Sequence, residues 1–208
     1  MAEKASEILR SGLEPSDKAL VLAHGAGAGM RSPFMNSFAV GLAARGLTVY
    51  RFEFPYMQEI MATGRRRPPD SAAVLERSWK EAIGRLALPR PVIGGKSMGG
   101  RVASLVADAC AVAGLVCLGY PFHPPGKPDR TRTEHLAMLK TPTLICQGTR
   151  DPFGSRGDVA SYRLSSAIEL CWLEDGNHNL EPRRASGRTA QENWEEAMDR
   201  IAKFVRSL

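Results

Sequence analysis

Six short apolar runs, separated by stretches with helical periods, constrain this chain more than any other feature. The runs are Ala19–Ala23, Leu47–Phe52, Pro91–Gly94, Gly114–Leu118, Thr143–Cys146 and Ile168–Leu173. They are rich in Val, Ile and Leu and show little polar alternation, as strands covered on both faces do. Between them lie helices. Ser32-Pro33 offers an N-cap and a proline at the first helical position. Met35, Phe38, Ala39 and Leu42 then form one face, and Gly46 marks the end. Ser71–Leu88 and Met98–Cys110 carry further apolar faces. Thr189-Ala190-Gln191-Glu192 is a capping box for a last helix, with Trp194, Met198, Ile201 and Val205 on its buried side. Strands alternating with helices imply right-handed βαβ units around a mostly parallel sheet, with helices on both faces. The 208 residues fit one domain spanning 1–208.

Composition excludes several classes. At 43% hydrophobic and 24% charged, the chain is not disordered. No apolar stretch is long enough for a membrane span, and the first residues lack the apolar core of a secretory signal. A cytoplasmic location is expected. The four cysteines lack zinc or redox spacing and read as buried thiols. Net charge is +6, but the only dense basic run is Arg65-Arg66-Arg67, with no RNA-binding motif or zinc finger. Nucleic acid is not an expected partner. Nothing implies a metal or organic cofactor, and no motif fixes an oligomeric state.

A sheet of this kind gathers its chemistry in loops at the carboxyl ends of its strands. Gly95-Lys96-Ser97-Met98-Gly99 is a G-x-S-x-G sequence between a strand and a helix. Such a turn strains the serine backbone, exposes the hydroxyl and places it at a helix N-terminus. The same Gly-Lys-Ser could end a phosphate-binding P-loop. That motif needs glycine at position 90, where the chain has Arg90. A serine nucleophile needs a base, and the base an orienting acid. Asp151 follows the fifth run and His178 the sixth, in the order Ser, Asp, His. Asp175 is set aside because it shares the histidine's own loop. Ala23-His24-Gly25-Ala26-Gly27 follows the first run and suits an oxyanion loop. The expected donors are the N–H groups of Ala26 and Met98. His24 is expected to bond loop backbone, with substrate contact kept open. His123 is expected to touch substrate, and His135 to lie on a helix surface. Arg65, Arg66 and Arg67, with Arg150, Arg156, Arg183 and Arg184, could form a basic rim for anionic substrates. Solvated surface arginines are the simpler reading.

Those motifs, with Gly94 to Gly100, Gly148-Thr149-Arg150-Asp151 and Gly176-Asn177-His178, resemble the small, dienelactone-hydrolase-like α/β-hydrolases. The resemblance is closest to a predicted-hydrolase family containing a testis-expressed human protein and a subunit of a chromatin acetyltransferase complex. It covers about residues 18 to 180. It implies the α/β-hydrolase fold and a serine hydrolase that cleaves a carboxylic ester or thioester of a small acyl substrate. The alternative it leaves open is a non-catalytic protein-interaction module. Dienelactone hydrolase is expected to use cysteine where this chain has Ser97, so that activity does not transfer. The segment between Leu118 and Thr143 has room for a loop and one short helix. No lid domain is therefore expected, and the amino-terminal antiparallel hairpin of many relatives should be short or absent.

Overall fold

A computed structural model describes residues 7–13 and 19–208. One seven-stranded sheet organises them. Its strands are β1 (Ile8–Ser11), β2 (Ala19–Ala23), β3 (Thr48–Phe52), β4 (Val92–Lys96), β5 (Gly114–Leu118), β6 (Thr143–Gly148) and β7 (Ile168–Leu173), in the order β1-β3-β2-β4-β5-β6-β7. Only β1 runs antiparallel, pairing Ile8 with Phe52 and Ser11 with Val49. The other neighbours are parallel. β2 through β6 are buried along their whole length, which explains their unbroken apolar runs.

The helices are α1 (Pro33–Ala44), α2 (Pro55–Thr63), α3 (Ala72–Leu86), α4 (Met98–Val106), α5 (Arg156–Val159) and α6 (Ala190–Ser207). One core layer joins α1 and α6 to the sheet through Met35, Phe38, Leu42, Met198, Ile201 and Val205. The other packs Tyr56, Leu75, Trp79, Val102 and Val106 from α2, α3 and α4. The chain passes from β2 outward to β3 and then returns across β2 to β4. The connections therefore diverge between β2 and β4, and a crevice opens there at the carboxyl ends.

Local chemistry explains most boundaries. Pro33 opens α1, although Ser32 makes no side-chain cap bond. The α6 capping box is complete: Thr189 Oγ1 accepts from Glu192 N, and Glu192 Oε2 accepts from Thr189 N at 2.6 Å. Trp194 departs from the buried face expected of it. It is only half-buried, and its Nε1 donates to Asn179 O at 2.9 Å at the mouth of the crevice. Segment 119–142 carries a single 3-10 turn, His135–Ala137, and no helical lid. His135 is half-buried rather than superficial: its Nε2 meets Ser104 Oγ at 2.8 Å. The cysteines are free thiols, with Cys117, Cys146 and Cys171 buried and Cys110 partly exposed. Among the described residues, no helix is long and apolar enough to cross a membrane.

Candidate active site

Ser97 sits in the turn from β4 to α4 with φ 51° and ψ −115°, a backbone conformation that L-residues avoid. Close packing enforces it. A Cβ on Gly95 would lie 2.1 Å from Ala23 O, and one on Gly99 2.4 Å from the same oxygen. The two glycines of the motif thus let the turn press against the end of β2, with no room for a methyl at either place. Buried Trp79 donates from Nε1 to Gly99 O at 3.3 Å and fixes the start of α4.

His178 and Asp151 come to this serine from the loops after β7 and β6. His178 Nε2 lies 2.9 Å from Ser97 Oγ, and His178 Nδ1 lies 2.9 Å from Asp151 Oδ2. Asp151 is fully buried. Its Oδ1 accepts from Phe153 N at 2.9 Å and its Oδ2 from Gln147 Nε2 at 2.9 Å. The Phe153 ring packs on the imidazole, with centroids 4.3 Å apart. Gln147 is itself fully buried at the end of β6. It accepts from Tyr120 N at 2.7 Å and donates to Tyr120 O and Gly154 O. One amide therefore ties the acid to two loops and gives the buried carboxylate a donor it would otherwise lack.

The loop after β2 is oriented just as tightly. His24 is fully buried, with Nδ1 2.7 Å from Gly25 O and Nε2 accepting from Phe54 N at 3.1 Å. These bonds fix the neutral tautomer with its proton on Nδ1. The Tyr56 hydroxyl lies 3.3 Å from Gly25 O and 3.0 Å from Ala26 O. The Gly25 carbonyl and the Ala26 N–H belong to one planar trans peptide and point opposite ways. Holding the carbonyl against His24 and Tyr56 turns the Ala26 N–H outward. Among the described residues, no turn, loop or cap bond takes the N–H of Ala26 or Met98. Met98 is the first residue of α4, where backbone N–H groups lack intrahelical acceptors.

A cavity of about 500 Å³ opens over Ser97. Ala26, Phe34, Phe153, His178, Glu181 and Trp194 are among its walls, and Lys96 lies at its floor. Lys96 was not singled out as a site residue from the sequence. It is only 7% exposed, and burial lowers its ammonium to about 8 against the opposing pull of Asp151 and Glu181.

The other expected contacts fall elsewhere. His24 is sealed beneath the loop and cannot reach a ligand. His123 is buried away from the cavity, with Nδ1 2.8 Å from Pro124 O and Nε2 3.6 Å from Asp158. Its place is set by the bond from its N–H to Phe153 O. Arg65, Arg66 and Arg67 do not line the cavity, because α2 intervenes after β3 and carries them onto an exposed loop. Arg67 pairs there with Glu59 and Asp70. Arg150 and Arg183 converge on Asp175 at 2.7 and 2.6 Å, and the Arg183 guanidinium leads in lowering that carboxyl to about 2. Arg156 lies over the Trp172 ring. The rim therefore offers less free positive charge than the arginine count suggests.

His24 gives the site a signature in acid. Burial lowers it from the ordinary 6.5 to about 4, so only the unfolded chain binds this proton between those values. The contribution is intact above pH 6.5 and is lost as pH falls toward 4, by roughly 3 kcal/mol. Urea unfolding at pH 7.5 and pH 4.5 should show this slope in wild type and a shallower one in His24→Gln. Equal slopes in the two proteins would contradict it.

The Alpha/beta hydrolase domain family matches residues 16–206. Similar solved structures include a monoacylglycerol lipase from Paleococcus ferrophilus, with 14% identity and a TM-score of 0.70 over 96% of this chain and 99% of that one. An alpha-beta serine hydrolase homologue from Coxiella burnetii has 18% identity and a TM-score of 0.64, over 98% and 90% of the two chains. A Xanthomonas campestris a/b serine hydrolase without a lid has 17% identity and a TM-score of 0.65, over 97% and 88%. These likenesses concern the fold. With the family match spanning nearly all of its length, the chain belongs to the alpha/beta hydrolase domain family.

Proposed function

We propose that the protein is a serine hydrolase that cleaves a carboxylic ester or thioester of a small acyl substrate. The observation that carries this reading is the relay from Ser97 Oγ through the His178 ring to buried Asp151, with both contacts at 2.9 Å. The strained serine and the N–H groups of Ala26 and Met98, which no turn, loop or cap bond takes up among the described residues, support it.

In this reading Ser97 Oγ attacks the acyl carbon while its proton passes to His178 Nε2. The carbonyl π-electrons move to oxygen, and the N–H groups of Ala26 and Met98 hold that charge. Asp151 stabilises the imidazolium without taking its proton. When the tetrahedral adduct collapses, the alcohol or thiol leaves with the proton from His178. Water then gives a proton to His178 and attacks the acyl-serine. Collapse of this second adduct releases the acid and returns the proton to Ser97. Among the described residues no lid roofs the cavity, which suits short acyl groups better than long lipid chains. The finer kinship to small dienelactone-hydrolase-like proteins is part of this proposal, and so is a cytoplasmic location, which fits the free thiols.

The test is a panel of p-nitrophenyl esters and matched thioesters of increasing acyl length, with intact-mass detection of acyl-enzyme. A burst with an acyl adduct on Ser97 supports the reading. Turnover that survives undiminished in Ser97→Ala refutes it.

A further inference from the structure

Lys96 stands directly before Ser97, at the end of β4. Its Nζ donates to the main-chain oxygen of His178 at 2.7 Å. Successive residues of one strand end thus reach the two ends of the same histidine: Ser97 meets its ring and Lys96 its backbone. The ammonium also lies close to the ring. The point a Cβ would occupy on Gly119 is 3.1 Å from Lys96 Nζ and 3.3 Å from His178 Nδ1. The Phe34 ring covers the ammonium, with its centroid 5.4 Å from Nζ. A charge this sheltered acts on its neighbours with little solvent screening.

We infer that Lys96 is a positioning residue for the base: its ammonium holds the His178 backbone beside Ser97, and its charge opposes protonation of the imidazole from solvent. The inference rests on the proposed role of Ser97 and His178. Asp151, on the loop after β6, is the carboxylate that meets the ring, with Oδ2 2.9 Å from Nδ1. Glu181, in the histidine's own loop, adds negative charge near Lys96. Ser97 and the Phe153 ring face His178 without charge. Lys96 thus sets a positive charge beside the His178 ring, opposite in sign to the two carboxylates. At neutral pH the ammonium is largely retained.

The two parts of the role separate in two variants. Lys96→Met keeps the stem but loses both donor and charge. Lys96→Gln keeps a donor without charge. The readout is the second-order rate of fluorophosphonate labelling of Ser97 from pH 5 to 9, in protein whose thermal melting confirms folding. For Lys96→Met the rate plateau should fall about tenfold, and the acid limb should move up by roughly one pH unit. For Lys96→Gln the plateau should recover to within about threefold of wild type while the acid limb stays displaced. A merely structural lysine would lower the plateau and leave the limb in place. An unmoved acid limb in Lys96→Gln overturns the inference, as does a wild-type profile in Lys96→Met. Failure of wild type to label would instead count against Ser97 as nucleophile.

Discussion

On the proposed reading, Ser97→Ala should lower kcat for a p-nitrophenyl ester by about 10⁴ to 10⁶-fold and leave the protein folded. Losing the nucleophile of a serine triad costs most of the catalysed rate, and the remainder comes from binding and oxyanion contacts. Here the hydroxyl has His178 as its hydrogen-bond partner, so its loss removes one bond of about 1 kcal/mol. Alanine also keeps the turn's positive φ, so no backbone strain is relieved. The melting temperature should therefore move by only a few degrees. Steady-state rates and thermal melting on the same preparation check both halves. A variant with more than a tenth of wild-type kcat would contradict the assignment of Ser97.

Asp151→Asn should cost about 10⁴ in kcat, for a reason visible in its surroundings. Oδ2 accepts from both Gln147 Nε2 and His178 Nδ1, and Oδ1 accepts from Phe153 N. An asparagine must put its NH₂ at one of these places. Placed at Oδ2, it faces the Gln147 NH₂ and favours the imidazole tautomer with its proton on Nε2, where the base is disabled. Placed at Oδ1, it faces the Phe153 N–H. Neither orientation is satisfied, so stability should also fall by about 1 to 3 kcal/mol. Steady-state rates and urea unfolding on the same preparation check both halves. A variant that keeps more than about a tenth of wild-type kcat would place the acid elsewhere.

Strands buried on two faces announce themselves as apolar runs, and Ala19–Ala23 and Gly114–Leu118 have the bounds expected from sequence; so does Ile168–Leu173, although it is a partly exposed edge strand. β1 was not legible. It is four residues at the sheet edge, pairs only with β3, and mixes Ile8 and Leu9 with Arg10 and Ser11. α2 was missed because Tyr56 and Met57 are its only buried residues, too few to display a helical period. Without α2, the loop after β3 would bring Arg65 to Arg67 nearer the cavity. Ser97, Asp151 and His178 were legible because a motif and a chain order single them out, and the structure brings them within hydrogen-bond reach. Gln147 and Lys96 were not, since their roles depend on which loop each polar tip meets across the sheet. Each left a faint trace: a polar residue at the end of an apolar run.

The measurement that tests the central claim most directly is covalent labelling by a fluorophosphonate, read by intact mass and peptide mapping, on wild type, Ser97→Ala and His178→Ala. The account predicts one adduct on wild type, mapped to Ser97, none on Ser97→Ala and at least a hundredfold slower labelling of His178→Ala. An adduct that persists in Ser97→Ala would contradict it, and folded wild type without an adduct would contradict it and favour a protein-interaction module on the same fold.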